Sequence, residues 1–200
     1  MILYSMPSSG NSYKVRLLLA LLGRRDVILK HVEYGDIALS QAKADGHLPF
    51  GKAPVLLLDD GTYLPESNAI LLYLGDGTQF MPDDRVARAR MTAWMFWEQN
   101  QHEGVIAVRA ALRSYAHRKS EATEDRLQGL LHRGYELLQL MEDHLAAQDW
   151  LVGSKPSLAD ICLFAYTHSA EDLGGFEMSC FPAIGNWIAR IKALDGFEAL

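Results

Sequence analysis

The hydrophobic pattern of this 200-residue chain changes near residue 75, and that change constrains the fold more than any other feature. Before it, short runs of β-branched and aliphatic residues alternate with helical spacings, whereas only helical spacings follow it. A stretch rich in Gly, Asp and Pro, residues 75–84, separates the two parts and is typical of a linker. The sequence therefore predicts two domains, residues 1–76 and residues 85–200.

The first part predicts the element order β-α-β-α-β-β-α. Its predicted strands cover residues 2–4, 27–32, 55–58 and 62–64. Alternating strands and helices imply a layered α/β domain, and the closing hairpin makes its four-stranded sheet mixed. The second part predicts an all-α bundle with helices over residues 85–115, 124–145, 158–167 and 182–193. The predicted fold class is thus an α/β domain followed by an all-α domain.

Charge and composition restrict the possible partners and compartment. A net charge of −6 and a pI of about 5.6 argue against nucleic acid or an anionic membrane as the main partner. No apolar run reaches the roughly 18 residues of a membrane span, and no signal peptide is recognisable. Cys162 and Cys180 lie among apolar residues without a CxxC pair, so we expect reduced thiols and the cytosol. The histidines lack metal-ligand spacing, and we expect no metal.

Two short motifs in the first part have the residues of a peptide-binding site. A cis bond before Pro54 would present the backbone of Ala53 as a strand edge for an extended peptide, although a trans proline at a strand start is the simpler interpretation. Ser67 at a predicted helix N-terminus suits a carboxylate, and Glu66 beside it suits an ammonium group. A plain helix cap is the alternative for this second motif.

The two motifs occur together in an order that resembles a known family. Residues 51–54, Gly-Lys-Ala-Pro, then a hairpin, then residues 65–70 resemble the glutathione-binding half of the glutathione S-transferase family. The resemblance continues in Asn11, Ser12, Lys14 and Val15, in the Trp-Glu-Gln of residues 97–99, and in the N-capping box of residues 153–160. It covers nearly the whole chain and is closest to bacterial, serine-type members with a theta/phi-like N-terminal motif.

This resemblance implies a thioredoxin-like first domain and a helical domain that contributes an electrophile pocket and a dimer interface. It implies glutathione as co-substrate, bound by Asn11, Lys52, Ala53, Pro54, Glu66 and Ser67. The implied activity is transfer of glutathione to small hydrophobic electrophiles by a homodimer. Two alternatives stay open: a regulatory or stress-response module with little turnover, and a glutathione-dependent isomerase or peroxidase.

A hydroxyl group after the first strand is expected to stabilise the glutathione thiolate. The candidates are Tyr4, Ser5, Ser8, Ser9 and Ser12. The resemblance assigns this role to Ser9, with Ser12 as the second choice, while capping of the first helix is an equally good role for either serine. No cysteine precedes Cys162, which departs from the cysteine-bearing members and argues against deglutathionylation and dehydroascorbate reduction.

The first long helix is expected to line the electrophile pocket. Trp97, Gln101 and His102 are the candidates, with His102 available to polarise a substrate. Tryptophans at helical spacing also suit a core or a subunit interface, and a single histidine also suits the core. The resemblance further implies that Met91, Trp94 and Met95 contribute to the dimer interface.

Overall fold

The structure is a computed structural model that describes every residue from Met1 to Leu200. The chain divides into two compact units. The first contains Met1–Thr78 together with Leu194–Leu200, and the second contains Gln79–Ala193. The C-terminal segment, Leu194–Leu200, therefore lies in the first unit, whereas the sequence analysis assigned all of residues 85–200 to the helical domain.

Contacts with helix α1, Gly10–Leu21, explain this difference. The Tyr13 hydroxyl donates a 2.8 Å hydrogen bond to the carbonyl oxygen of Glu198. The backbone of Gly196, at a φ of +82°, lies so close to the helix that an added Cβ would be 2.7 Å from the Ala20 carbonyl oxygen. These contacts join residues far apart in the chain, and no local pattern in the sequence predicts them.

The first unit is built on a mixed four-stranded sheet, as predicted. Its strands, β1 to β4, have the spatial order β2-β1-β3-β4 and cover Ile2–Ser5, Ile28–His31, Val55–Leu57 and Tyr63–Pro65. Strand β1 pairs in parallel with β2 and antiparallel with β3, and β3 and β4 form the predicted hairpin. In this register Tyr4 lies opposite Val55, and Val55 lies opposite Pro65.

Three helices accompany the sheet: α1, α2 at Ile37–Ala44 and α3 at Ser67–Gly75. Helices α1 and α3 pack against each other, and α1 is apolar around most of its circumference. Helix α2 belongs to a second cluster, made of Tyr4, Met6, Val32, Leu39, Ala42, Leu48 and Val55. Because alternate side chains of a strand point to opposite faces, the sheet can pack against a hydrophobic layer on each of its faces.

The second unit is entirely helical, as predicted. Its helices, α4 to α8, cover Arg85–Trp97, Val108–Ser114, Glu124–Leu145, Leu158–Thr167 and Pro182–Lys192. The helix predicted over residues 85–115 is not uniform, because a π-helical segment, Glu98–Ala107, separates α4 from α5. Short 3₁₀ turns occupy Ala116–Glu121 and Met178–Cys180. None of the helices combines the length and apolar character needed to cross a membrane.

The start of α7 carries the predicted N-capping box. The fully buried Asp160 carboxylate accepts hydrogen bonds from the Ser157 backbone N–H at 2.8 Å and the Ser157 hydroxyl at 2.9 Å. It also accepts from the Leu151 N–H and the Trp187 indole N–H, both at 2.9 Å. Four donors around one carboxylate join α7, α8 and the loop before α7, so this motif organises the core of the second unit.

Candidate functional site

The strand register brings three segments of the first unit to one edge of the sheet. Because Tyr4, Val55 and Pro65 lie in one row, the loop after β1, the segment before β3 and the start of α3 are neighbours. All predicted ligand-binding residues of the first unit belong to these segments or to the first turn of α1. The fold therefore collects residues that are far apart in the sequence.

Ser9 is the N-cap residue of α1. Its φ and ψ of −90° and 125° are extended, its carbonyl accepts from the Tyr13 N–H at 2.9 Å, and its hydroxyl oxygen accepts from the Ser12 N–H at 3.3 Å. The side chain is half-buried. Because the cap uses only the oxygen of the hydroxyl, the Ser9 proton can still be donated, next to the positive end of the helix.

Ser12 occupies a different environment. Its side chain is completely buried, and its hydroxyl oxygen accepts a 3.0 Å hydrogen bond from the Met6 N–H. The residue therefore supports the loop that leads to Ser9 from the inside. The other hydroxyl candidates also have structural partners, since Ser5 accepts from Arg16 at 2.7 Å and Ser8 donates to Glu33 at 2.9 Å. Tyr4 is buried in β1, and desolvation raises the pKa of its phenol.

The start of α3 differs in one respect from the sequence analysis, which made Ser67 the helix cap. The N-cap residue is Glu66, and Ser67 is the first residue of the helix. The Ser67 hydroxyl donates to the side-chain oxygen of Asn11 at 3.1 Å. This bond connects the N-terminal turns of α1 and α3, so the two helix N-termini share one polar contact.

Glu66 has a φ of +72° and a ψ of 116°, the single positive φ in the chain outside glycine. This conformation is costly for a residue with a side chain, by about 1–3 kcal/mol. Its carbonyl accepts from the Ile70 N–H at 2.9 Å, which starts the helix. The N–H groups of the first turn, from Ser67 onward, therefore point out of the helix end and can bind an anion.

The peptide bond between Ala53 and Pro54 is cis, the alternative to the simpler trans interpretation of this motif alone. Pro54 is buried immediately before β3, Ala53 is half-buried and Lys52 is exposed. Lys52 thus adds a cation to the same edge of the sheet. No group of three or more His, Cys, Asp or Glu side chains is arranged to hold a metal ion.

Of the three residues predicted to line an electrophile pocket, Trp97 and His102 lie together, with ring centroids 5.7 Å apart, whereas Gln101 does not join them. Trp97 is half-buried and packs edge-on against Trp94, with ring centroids 5.3 Å apart. Gln101 is exposed and accepts a 2.9 Å hydrogen bond from Arg133. His102 is completely buried, with Nε2 3.1 Å from the Thr167 hydroxyl. The π-helical segment explains this contact, because its wider, i→i+5 turns bring residues five apart onto one face, which the 3.6-residue spacing of an α-helix does not.

Trp97 also lines an open apolar groove on the second unit, with a volume of about 380 Å³. The groove lies between α4 and α6 and is lined by Arg90, Ala93, Trp94, Trp97 and Leu140. Met91 and Met95 do not reach this surface, because they are 0% and 2% exposed and belong to the core of the second unit. Arg90 and Leu140 were not predicted to lie at this groove, although Val86, Arg90 and Trp94 follow one another at helical spacing.

Two further residues near the site were not predicted from the sequence, Arg16 and Glu33, whose side chains contact the loop before Ser9. Arg16 could have been singled out because it is a charged residue among the apolar residues of helix α1. Glu33 follows a strand, in a position where acidic residues are common, and nothing in its surroundings in the sequence distinguishes it.

Comparison with known proteins agrees with this architecture. The profile described as "Glutathione S-transferase, N-terminal domain" matches residues 3–77, and "Glutathione S-transferase, C-terminal domain" matches residues 105–195. A protein of Rhizobium meliloti named maleylacetoacetate isomerase is 30% identical, over 98% of this chain and 93% of its own length.

Solved structures extend the similarity to three dimensions. A glutathione S-transferase from Pseudomonas fluorescens is 39% identical with a TM-score of 0.91, and the match covers 99% of this chain and 97% of that one. A glutathione S-transferase from Xanthobacter autotrophicus is 41% identical with a TM-score of 0.89, over 98% and 95% of the two chains. Fold, motif order and both profiles agree, and the chain belongs to the glutathione S-transferase family.

Proposed function

We propose that the protein binds glutathione at the sheet edge of the first unit and that Ser9 stabilises its thiolate for attack on small hydrophobic electrophiles. The observation that carries this proposal is the Ser9 hydroxyl, half-buried at the N-cap of α1 with its proton not used by the cap. A hydroxyl donor and a helix N-terminus both favour the charged form of a thiol.

The remaining residues of the sheet edge suit the rest of the peptide. Ala53, held before the cis proline, offers its backbone to an extended peptide, and Lys52 offers a positive charge. Glu66 and the first turn of α3, with Ser67 joined to Asn11, suit an α-amino acid end group, which carries an ammonium and a carboxylate. The set of donors and charges thus matches an anionic peptide with one amino acid end.

The required stabilisation is modest. A thiol like that of cysteine has a pKa of about 8.5, and lowering it by two units corresponds to about 2.7 kcal/mol. One charge-assisted hydrogen bond contributes about 1.5–3 kcal/mol, so a serine aided by a helix dipole is sufficient.

Binding to glutathione-agarose and turnover with chlorodinitrobenzene test this proposal together. We expect retention on the column, a measurable rate, and loss of most of the rate in Ser9→Ala with the retention kept. Ser12→Ala should mainly reduce stability, because its buried hydroxyl supports the loop. Failure to bind glutathione would reject the proposal, and binding without turnover on any electrophile would favour a regulatory module.

A glutathione-dependent isomerase is the second candidate, supported by the similarity to the Rhizobium meliloti protein named maleylacetoacetate isomerase. Such a reaction uses the same thiolate, which adds to a conjugated double bond and leaves again after rotation, so glutathione is not consumed. Comparing the rates with maleylacetoacetate and with chlorodinitrobenzene separates the two activities. An isomerase is expected to need only catalytic amounts of glutathione.

We also propose a homodimer that covers the apolar groove of the second unit. Val86, Arg90, Trp94 and Trp97 follow one another on one face of α4, and Val86 is 65% exposed. On α6 the exposed Glu136, Leu140 and Asp143 share a face. A two-fold pairing can therefore place a basic, aromatic helix of one copy against an acidic helix of the other.

Leu140→Glu tests this pairing, because Leu140 lines the groove and is 46% exposed, so its replacement does not disturb the core. We expect the wild type to have the mass of a dimer in light scattering after size exclusion, and Leu140→Glu to have the mass of a monomer. Leu173→Glu is the matched control, since Leu173 is 40% exposed and lies outside the groove. A dimer that survives Leu140→Glu contradicts the proposed interface.

A further inference from the structure

The loop that carries Ser9, residues 5–9, is held by two charged side chains that have no part in the function proposed above. The first is Arg16, half-buried on α1. Its Nη1 donates to the Ser5 hydroxyl at 2.7 Å and to the Met6 carbonyl at 3.2 Å, and its Nη2 donates to the Pro7 carbonyl at 3.0 Å. One guanidinium therefore binds three consecutive residues of the loop.

Arg16 and Ser9 share an acceptor. The Met6 carbonyl, which accepts from Arg16, also accepts from the Ser9 backbone N–H at 3.1 Å. A shift of Met6 therefore moves the backbone from which the Ser9 side chain projects. The guanidinium suits this task because its planar fork fixes several acceptors at once, which the single ammonium of a lysine does not.

Glu33 lies in the loop after β2 and holds the Ser9 loop at Ser8, the residue that follows the three bound by Arg16. Its carboxylate accepts from the Ser8 N–H at 3.0 Å, the Ser8 hydroxyl at 2.9 Å and the Tyr34 N–H at 2.9 Å. Partial desolvation raises the pKa of Glu33, but these hydrogen bonds and the charge of Arg16 outweigh it and leave the pKa below its ordinary value. The carboxylate is thus ionised at neutral pH and available as an acceptor.

We propose that Arg16 and Glu33 are positioning residues that fix the direction of the Ser9 hydroxyl and thereby set how readily bound glutathione ionises. Together they bind Ser5, the last residue of β1, and Met6, Pro7 and Ser8, which are all the residues between β1 and Ser9. The inference rests on the proposed function, because it assigns their effect to the thiol at Ser9. Neither side chain needs to touch the substrate.

Titration of the bound glutathione thiol, followed by thiolate absorbance in the ultraviolet, tests this assignment. We expect the thiol pKa to rise by about one unit in Arg16→Gln and in Glu33→Ala, from about 6.5 to about 7.5, which leaves about threefold less thiolate at pH 7. The KM for glutathione should stay near the wild-type value, and kcat should recover at high pH. Arg16→Lys should restore only part of the shift, because it keeps the charge but not the fork.

Arg24→Gln is the control, since Arg24 pairs with Asp26 at 2.6 Å elsewhere in the first unit and should leave the titration unchanged. Glu33 lies on an exposed loop, so Glu33→Ala stays informative if an Arg16 variant folds poorly. If Ser9→Ala raises the thiol pKa while Arg16→Gln and Glu33→Ala do not, the inference is overturned and the proposed function stands. If Ser9→Ala itself has no effect, both are rejected.

Discussion

The Ser67 hydroxyl donates a 3.1 Å hydrogen bond to the side-chain oxygen of Asn11, across 56 residues of sequence. The bond joins the first turns of α3 and α1, the two helix N-termini of the candidate glutathione site. Because both helix ends are positive, a ligand with two anionic groups can use both of them. Asn11 and Ser67 therefore set the spacing of these two ends.

Ser67→Ala and Asn11→Ala should each weaken glutathione binding by about 10- to 100-fold, the range of one hydrogen bond to a charged group. The two losses should be strongly coupled, by more than about 0.5 kcal/mol in a double-mutant cycle, because each variant breaks the same contact. Isothermal titration calorimetry measures both effects. Ser120→Ala, an exposed serine of the second unit, is the control, and additive losses would show that the contact is unimportant.

Replacing Glu66 separates backbone strain from ligand binding. Glycine tolerates the φ of +72°, so Glu66→Gly should raise the free energy of unfolding by about 1 kcal/mol, net of the greater entropy of an unfolded glycine. The same variant should lose glutathione affinity, since the carboxylate is removed. Glu66→Gln should lose the affinity without the gain in stability. Urea unfolding and calorimetry give the two quantities, and equal stability of both variants would contradict the argument from strain.

Two glycines of α6 should respond to alanine in opposite directions. A Cβ on Gly134 would lie 2.3 Å from the ring of Phe176, which is 1% exposed and packs edge-on against Tyr135, so Gly134→Ala should destabilise the protein by about 1–3 kcal/mol. A Cβ on Gly129 has nothing within 4 Å, and Gly129→Ala should stabilise the protein by roughly 0.5–1 kcal/mol. Urea midpoints of the two variants decide the matter, and the same sign for both would contradict the packing described here.

Acid should remove part of the stability through Glu121. Hydrogen bonds from Arg118 and then Arg126 lower the pKa of this exposed carboxylate from 4.5 to about 2. The depressed pKa means that the contribution is complete above about pH 4.5 and is lost as the pH falls toward 2. Glu121→Gln should therefore flatten the fall in the urea midpoint between pH 5 and pH 3, relative to wild type. Glu171→Gln, an exposed glutamate without an ion pair, should leave this slope unchanged.

Local patterns predicted the architecture well. The change of periodicity near residue 75 separated the mixed sheet from the helices, and the spacing of Ser157 and Asp160 predicted the capping box that the structure contains. These features depend on residues only a few positions apart, so they can be predicted from short stretches of the sequence. The cis bond before Pro54 was favoured only by the order of two motifs, since the proline motif alone favoured trans.

Features that depend on contacts between distant residues could not be predicted. Nothing near Ser67 indicates that its hydroxyl binds Asn11 instead of capping α3, and nothing near Glu33 indicates its bonds to Ser8. The contact between Trp97 and His102, which Gln101 does not share, arises at a π-helical segment whose wider turns have no obvious signature in composition. The roles of Ser9 and of the glutathione-binding residues remain predictions that the experiments above can decide.

The contact between Glu198 and Tyr13 has a consequence for biosynthesis. A ribosome makes β1 to α3 first, then the entire helical unit, and only then the segment that packs against α1. The helical unit is thus inserted within the chain of the first unit. It can fold before the contacts between Leu194–Leu200 and α1 have formed. A fragment that stops at Thr78 would carry every predicted glutathione-binding residue and yet lack the segment that closes the far side of α1.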